Sequence, residues 1–206
     1  MTIILNIAGF FIFISVSLAA TTLQVPFTSQ SPLGNWAQPW QDFCEEASIV
    51  MATHFVRGTP LTPKLAQAEM QIIKQYEMIV LKKYKDTSAD ETAAILTNLF
   101  KFKNLRMRLI LTSRDIKEEL SRGNIMIAPV AGRLLKNPYF TSPGPLYHML
   151  VITGYNDERG VFITNDPGTR HGKSLRYQQN VLFNAIHDWN NGDVLNGEKK
   201  IIVVGK

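Results

Sequence analysis

The sequence has few charged residues and no run of basic ones. Only 19% of its 206 residues are charged, and no low-complexity tract divides the chain. The net charge of +5 is therefore spread thinly, which argues against a nucleic-acid-binding surface. It still favours contact with anionic surfaces such as those of a cell envelope. With 45% apolar residues, a chain of this length can bury one core, so we expect a single folded domain and a monomer.

The N-terminal segment lacks charge altogether. Residues Ile3 to Ala20 are almost wholly apolar and end in small residues, and the first charged residue is Asp42. We therefore predict a signal peptide or N-terminal anchor over residues 1–20, and one domain over residues 21–206 that lies outside the cytoplasm, secreted or associated with the cell envelope. The missing basic residues before this segment and its length keep an uncleaved membrane anchor open.

Cysteine is also scarce, since Cys44 is the only one. It cannot form an internal disulfide, so an exported domain would carry it as a free thiol. The pattern after it predicts a helix that begins at Cys44, where the helix dipole favours a thiolate. Cys44 is thus a candidate nucleophile, although a lone cysteine can also be a small buried apolar residue. His54 lies ~15 Å further along this helix, too far to be the base.

The remaining patterns predict an α+β fold with a mostly antiparallel sheet. A short strand is expected at Leu23 to Phe27. Further helices are predicted from Thr62-Pro63 to about Lys85, from a capping box at Ser88 to Glu91, at Arg114 to Arg122, and at Gln178 to Trp189. Strands are predicted at Leu105 to Leu111, Asn124 to Val130, Tyr147 to Tyr155, Gly160 to Asn165, and Ile201 to Val204.

Two of these strands offer a base and an orienting group for the thiol. His148 begins one strand, Asp166 follows the next, and a turn near Asn156 to Gly160 would fold the pair into a hairpin. In a hairpin the start of the first strand lies beside the end of the second, so the two side chains should meet. A thiolate nucleophile needs such a base, and the base needs a third group to hold it. A structural histidine and an Asp-Pro-Gly turn are the simpler alternatives.

Four stretches carry a resemblance to a known family. They are VPFTSQSPLGNWAQPWQDFCEEAS, YHMLVITGY, FITNDPGT and AIHDWN. Together they resemble the secreted bacterial relatives of the double-glycine, bacteriocin-processing cysteine peptidases of the papain-like superfamily. The resemblance implies a papain-like fold, with the nucleophile at a helix N-terminus packed on the sheet. It also implies hydrolysis of peptide bonds in a peptide or protein substrate, without a cofactor or a metal.

The resemblance also implies roles for individual residues. Cys44 would be the nucleophile, His148 the general base and acid, and Asp166 the orienting residue. A glutamine would donate to the oxyanion, and we prefer Gln30 of the VPFTSQ stretch over Gln38, which stands six residues before the cysteine. The sequence departs from better-known relatives at Glu45, where a glycine often follows the nucleophile, and this puts substrate preference in doubt.

Other functions remain open at this stage. A papain-like thiol also serves acyltransferases and peptidoglycan amidases, and a noncatalytic envelope-binding module could use exposed Trp36 and Trp40. A metal hydrolase built on His148, Asp166 and His171 lacks histidines at helical ligand spacing. We expect the loop from Ala131 to Leu146 to determine specificity.

Overall fold

The computed structural model of the protein describes residues 19–206, in which helices cover an antiparallel sheet. The predicted export segment lies almost entirely outside the described residues. The strands are β1 (Ala20–Thr22), β2 (Leu105–Leu109), β3 (Ile125–Val130), β4 (His148–Asn156), β5 (Val161–Asn165), β6 (Leu175–Gln178) and β7 (Lys200–Val204). The helices are α1 (Cys44–Arg57), α2 (Pro63–Val80), α3 (Ala89–Asn98), α4 (Ser113–Ser121) and α5 (Gln179–Ala185). Short 3₁₀ helices span Trp40–Asp42, Gly132–Leu135 and Val194–Asn196.

The sheet has the order β2-β7-β3-β4-β5-β6, and β1 pairs with the C-terminal end of β4. Every strand pair is antiparallel. The predicted α+β class with an antiparallel sheet is therefore confirmed. The central strands β3 and β4 are buried on both faces because helices cover both sides.

Alternation along the strands divides the interior into two apolar clusters. On β3, Ile125 and Ile127 face the cluster that includes α1, α2 and α3. Met126 and Ala128 face the opposite cluster, which includes α4 and α5. The helix that carries the cysteine thus packs on one side of the sheet, with the strand that carries the histidine beside it.

Helix α1 runs through the interior. All of its residues from Cys44 to Phe55 are buried, including the polar side chains of Glu45, Glu46, Ser48, Thr53 and His54. The helix ends where Gly58 adopts a left-handed backbone conformation, with φ of 64°. Because α1 is buried along its length, its first residue is held rigidly against the sheet.

The structure corrects several predicted boundaries. The predicted strand at Leu23 to Phe27 is wrong, because the pairing with β4 runs over Ala20–Thr22 and the chain then continues as a loop. Helix α2 stops at Val80, short of the predicted Lys85, and Lys82 has a positive φ of 60°. The last helix stops at Ala185 because Ile186 forms a β-bridge with Val130.

Strand β6 was not predicted, since its four residues are too few for a clear pattern. It pairs with β5 and places Tyr177 opposite Phe162. Over residues 19–206, no helix has both the length and the apolar character needed to cross a membrane.

Candidate active site

The loop before α1 fixes the position of Cys44. The 3₁₀ helix Trp40–Asp42 delivers the chain to Phe43, whose fully buried ring packs edge-on against Trp40 at 5.1 Å between ring centroids. Cys44 is the first residue of α1, so its backbone N–H has no acceptor one turn earlier in the helix. Its side chain is only 8% exposed. The nucleophile candidate therefore stands at a helix N-terminus, as predicted.

The sulfur of Cys44 has two neighbours that act on it in opposite directions. The thiol donates a hydrogen bond to Glu45 Oε2 at 3.0 Å, and the backbone N–H of Met149 points at the sulfur. Burial raises the pKa of Cys44 well above its usual value, and the negative charge of Glu45 and the hydrogen bond to it raise this pKa further. The N–H of Met149 acts to lower it. With an ionised Glu45, the neutral thiol is thus the favoured form.

His148 and Asp166 meet at the edge of the hairpin formed by β4 and β5. His148 Nε2 lies 2.8 Å from Asp166 Oδ1, and both side chains are almost completely buried. The register of the hairpin places Val151 opposite Asn165, which puts the start of β4 beside the residue after β5. The structure therefore joins the two residues as the hairpin argument predicts.

Three further donors hold the carboxylate of Asp166. Tyr177 donates from its hydroxyl to Oδ2 at 2.5 Å, and Asn137 donates from Nδ2 to the same oxygen at 3.0 Å. The backbone N–H of Gly168 donates to Oδ1 at 2.9 Å. Burial by itself raises the pKa of Asp166, but the charge of His148 and these hydrogen bonds outweigh it and lower the pKa below its usual value. Asp166 is therefore an ionised acceptor for the imidazole.

The second ring nitrogen of His148, Nδ1, is not used by Asp166. Within residues 19–206, Nδ1 forms no hydrogen bond, and the ring is held edge-on by Phe140 at 5.4 Å between centroids. Gly168 backs onto the ring so closely that a Cβ there would lie 3.0 Å from His148 Cε1. The imidazole is thus fixed on three sides and open towards the cleft that contains Cys44.

A cleft of about 740 Å³ contains both groups. Its wall on the cysteine side carries Asp42, Glu45 and Asp86, of which Asp42 forms an ion pair with Lys85. Arg170 and His171 line the cleft as well. The aromatic lining consists of Trp36, Tyr139, Phe140 and Tyr147. Such a cleft has the size and mixed polarity of a substrate groove.

The glutamines near the cysteine lie in different places. Gln30 is 5% exposed, lines the cleft, and its backbone N–H donates to Pro167 O at 2.9 Å, next to the orienting aspartate. Gln38 is exposed, does not line the cleft, and accepts a hydrogen bond from Tyr84 at 3.4 Å. Gln41, which the sequence reasoning did not consider, also lines the cleft but is exposed. Gln30 is thus the better placed of the two predicted donors.

Other residues singled out in the sequence lie away from this chemistry. Trp40 is 9% exposed and packs in the core, so the expectation of two exposed tryptophans is wrong for it, whereas Trp36 is 39% exposed at the cleft. His171 stacks on Tyr139 rather than joining the His148 pair. The ring of His187 bonds to a backbone carbonyl outside the cleft. Within residues 19–206, no group of histidine, cysteine and carboxylate side chains is arranged to hold a metal ion.

Three contributors to the site carried no signal in the sequence. Asn137 lies in a loop, Tyr177 lies on the short strand β6, and Met149 acts through its backbone. Each is brought to the site by sheet pairing or loop packing. Only a tertiary contact could have indicated them.

Comparisons with known proteins identify the family and the fold. The sequence matches the profile of the Peptidase C39-like family over residues 22–192. The chain belongs to the Peptidase C39-like family. The fold is similar to the crystal structure of a Bacillus anthracis protein described as a C39-like peptidase, with a TM-score of 0.60 and 12% sequence identity. The similarity covers 91% of this chain and 98% of that one. The search of curated proteins finds no match.

The family and the fold confirm the predicted relation to the double-glycine peptidases and the predicted architecture. Membership in a C39-like family indicates chemistry of the cysteine peptidase type. At 12% identity the Bacillus anthracis structure supports the fold alone.

Proposed function

We propose that this C39-like protein is a cysteine peptidase that hydrolyses peptide bonds outside the cytoplasm. Cys44 would be the nucleophile, His148 the general base and acid, Asp166 the orienting residue and Gln30 an oxyanion donor. One observation carries the proposal: the buried pair of His148 Nε2 and Asp166 Oδ1, 2.8 Å apart, opens into the same cleft as the cysteine at the start of α1.

The mechanism follows from this arrangement. Cys44 reacts as a thiolate that is paired with the imidazolium of His148, which carries the proton. The sulfur attacks the carbonyl carbon of the substrate, and the charge that develops on the carbonyl oxygen is met by the Cys44 backbone N–H and the Gln30 amide. Gln30 lines the same cleft as Cys44 and His148, which supports this role for its amide. The imidazolium of His148 gives its proton to the leaving amine. Water then hydrolyses the thioester and restores the thiol.

The proposed place of action rests on the apolar segment Ile3 to Ala20. We expect the substrate to be a peptide or protein, and the net charge of +5 to favour contact with an anionic envelope surface. The loop from Ala131 to Leu146 contributes Tyr139, Phe140, Thr141 and Pro145 to the cleft, which supports its role in specificity.

Alkylation by iodoacetamide at pH 6, followed by mass spectrometry, tests the thiol activation. We expect Cys44 to react faster than free cysteine, and His148→Ala to slow this reaction by on the order of 10²-fold. His187→Ala is the matched control and should leave the rate unchanged, since that ring lies outside the cleft. Equal rates for the wild type and free cysteine at every pH would overturn the proposal.

A peptide library digested by the protein and read by mass spectrometry tests the reaction itself. Cleavage should be lost in Cys44→Ala and reduced ~10²-fold in Gln30→Ala, whereas Gln38→Ala should behave as the wild type. Products in which the acyl group is joined to an added amine would identify an acyltransferase instead.

One observation favours a noncatalytic binding module as the second candidate. The thiol donates to Glu45 rather than to His148, and its pKa is raised. A module of this kind would keep its peptide or glycan ligand in the Cys44→Ala variant and show no activated thiol.

A further inference from the structure

The side chain of Glu45 contacts the reacting sulfur but has no role in the proposed triad. Its side chain is 1% exposed, and its Oε2 accepts the hydrogen bond of the Cys44 thiol at 3.0 Å. No other side chain among the described residues forms a hydrogen bond with this sulfur. A buried charged carboxylate in this position would oppose the thiolate on which the proposed reaction depends.

The surroundings of Glu45 disfavour its charge. The titratable groups that face it are Cys44 and Glu46 on α1, Glu77 on α2, Asp42 and Asp86 in the loops before α1 and α3, and Tyr147 and His148 at the start of β4. Of these only His148 can carry a positive charge. Nearby lysines are used elsewhere, since Lys85 pairs with Asp42 and Lys83 pairs with Glu91.

These effects partly cancel, so that Glu45 titrates near neutral pH. Burial is the largest effect and raises the pKa of Glu45, the hydrogen bond from Cys44 acts against it, and the result is a pKa of about 7. Its neighbours Glu46 and Glu77 are also buried, and burial raises their pKa values, to about 9 for Glu77. Glu77 therefore favours its protonated form at neutral pH, where Glu45 changes its charge.

We propose that Glu45 is a further catalytic residue, which shares one proton with Cys44 Sγ and activates the cysteine when its carboxyl group is protonated. This inference rests on the proposed function. In the resting form the thiol S–H donates to the carboxylate. Transfer of that proton along the 3.0 Å contact gives a thiolate and a carboxylic acid, with no change in total charge.

The active form holds one more proton than the resting form. That proton resides on His148 as the imidazolium, which later protonates the leaving amine, while the Glu45 O–H donates to the thiolate and stabilises it. When pH rises and the site loses this proton, the negative carboxylate returns and the thiol form is favoured. Reactivity of Cys44 should therefore fall as pH rises through about 7.

The pH profile of Cys44 alkylation by iodoacetamide, from pH 4.5 to 9, tests this proposal. The wild type should be most reactive below pH 7 and lose reactivity above it. An isolated thiol shows the opposite trend, because its thiolate fraction only increases with pH. A wild-type rate that is flat or rises through pH 7 would overturn the proposal, and this measurement needs no variant to fold.

Two substitutions separate the effect of a hydrogen-bond donor at position 45 from the effect of the negative charge there. Glu45→Gln is always neutral and can donate an N–H, so at pH 8 it should react about 10-fold faster than the wild type, and at pH 5.5 at a similar rate. Glu45→Met is neutral without a donor, so its profile should also lose the fall through pH 7, at a lower rate than Glu45→Gln. Folding of both variants is checked by circular dichroism.

Glu46→Gln is the matched control in the same helical turn. Burial also raises the pKa of Glu46, but its side chain forms no hydrogen bond with the Cys44 sulfur among the described residues, so the profile should match that of the wild type. A Glu45→Gln profile that coincides with the wild type, or that is slower at every pH, would refute the role of Glu45. That result would leave the proposed peptidase function intact. The proposed function is contradicted only if the wild-type Cys44 shows no activation at any pH.

Discussion

Glu119 on α4 and Glu45 on α1 are both 1% exposed, yet their surroundings give them opposite behaviour. Glu119 receives hydrogen bonds from Arg106, Arg108 and Asn124. Burial raises its pKa, but these donors outweigh burial and lower the pKa below its usual value. Among residues 19–206, the only side chain that forms a hydrogen bond with Glu45 is the Cys44 thiol, and burial raises the pKa of Glu45 to about 7.

The difference shows that partners, rather than burial, decide whether a buried carboxyl group stabilises the fold or takes part in chemistry. The carboxylate of Glu119, which is paired with Arg106, Arg108 and Arg122, is fixed in one charge state and joins β2 to α4. A carboxyl without a strong cationic partner can change its charge near neutral pH. Asp166 belongs to the first type although it is part of the candidate active site, because three donors and His148 hold its charge.

Among the substitutions that test this comparison, Glu119→Ala should have the largest effect, a loss of stability. The substitution leaves Arg106 and Arg108 without their shared carboxylate, and we expect the free energy of unfolding to fall by about 3 kcal/mol. Urea denaturation measures the change. Glu118→Ala is the control, since its half-exposed carboxylate bonds to Arg108 alone and should cost about 0.5 kcal/mol. A loss as small as that control would show that Glu119 is not the centre of this network.

Asp166→Asn should produce the next largest effect, on reactivity rather than on stability. Asparagine cannot stabilise the imidazolium of His148 by charge, so alkylation of Cys44 at pH 6 should slow by on the order of 10²-fold, about 2.7 kcal/mol. Asp188→Asn is the control, because this aspartate bonds to backbone N–H groups at the start of α3 and outside the cleft. An unchanged rate in Asp166→Asn would place the orienting role elsewhere.

Glu77→Leu should stabilise the protein at pH 8, by about 1 to 2 kcal/mol. Folded Glu77 holds its proton up to about pH 9, while an unfolded glutamate releases it near 4.5. In the wild type, the free energy of unfolding therefore decreases as pH rises from 4.5 towards 9. Leucine does not titrate, so the Glu77→Leu variant should not show this decrease. Urea denaturation at pH 5 and pH 8 measures it, with the exposed Glu158→Leu as the control. A larger gain at pH 5 than at pH 8 would contradict this account.

Tyr177→Phe should have the smallest effect, a fall of about 1 kcal/mol in the free energy of unfolding. It removes one of the donors to Asp166 and leaves Asn137 and Gly168 in place. The pKa of Asp166 should rise, so the acid limb of the Cys44 alkylation profile should move to higher pH. Tyr76→Phe on α2 is the control, and an identical acid limb in both variants would argue against a role for Tyr177.

Much of this protein follows from local patterns in the sequence. The capping box at Ser88, the apolar run after Cys44 and the turn that separates β4 from β5 each depend on neighbouring residues, so α1, α3 and the hairpin were predicted close to their observed bounds. The meeting of His148 and Asp166 follows from the hairpin too, because antiparallel pairing places those two ends together.

The tertiary structure determines the hydrogen-bond partners and the charge of the groups in the site. Tyr177 and Asn137 reach Asp166 only because β6 and the loop after β3 pack there, and Gln30 enters the cleft through its bond to Pro167. The sequence places Glu45 beside Cys44 but does not determine its charge, because that depends on burial and on cations brought from distant segments. Free energies of burial and pairing belong to the packed molecule, so no local pattern could reveal them.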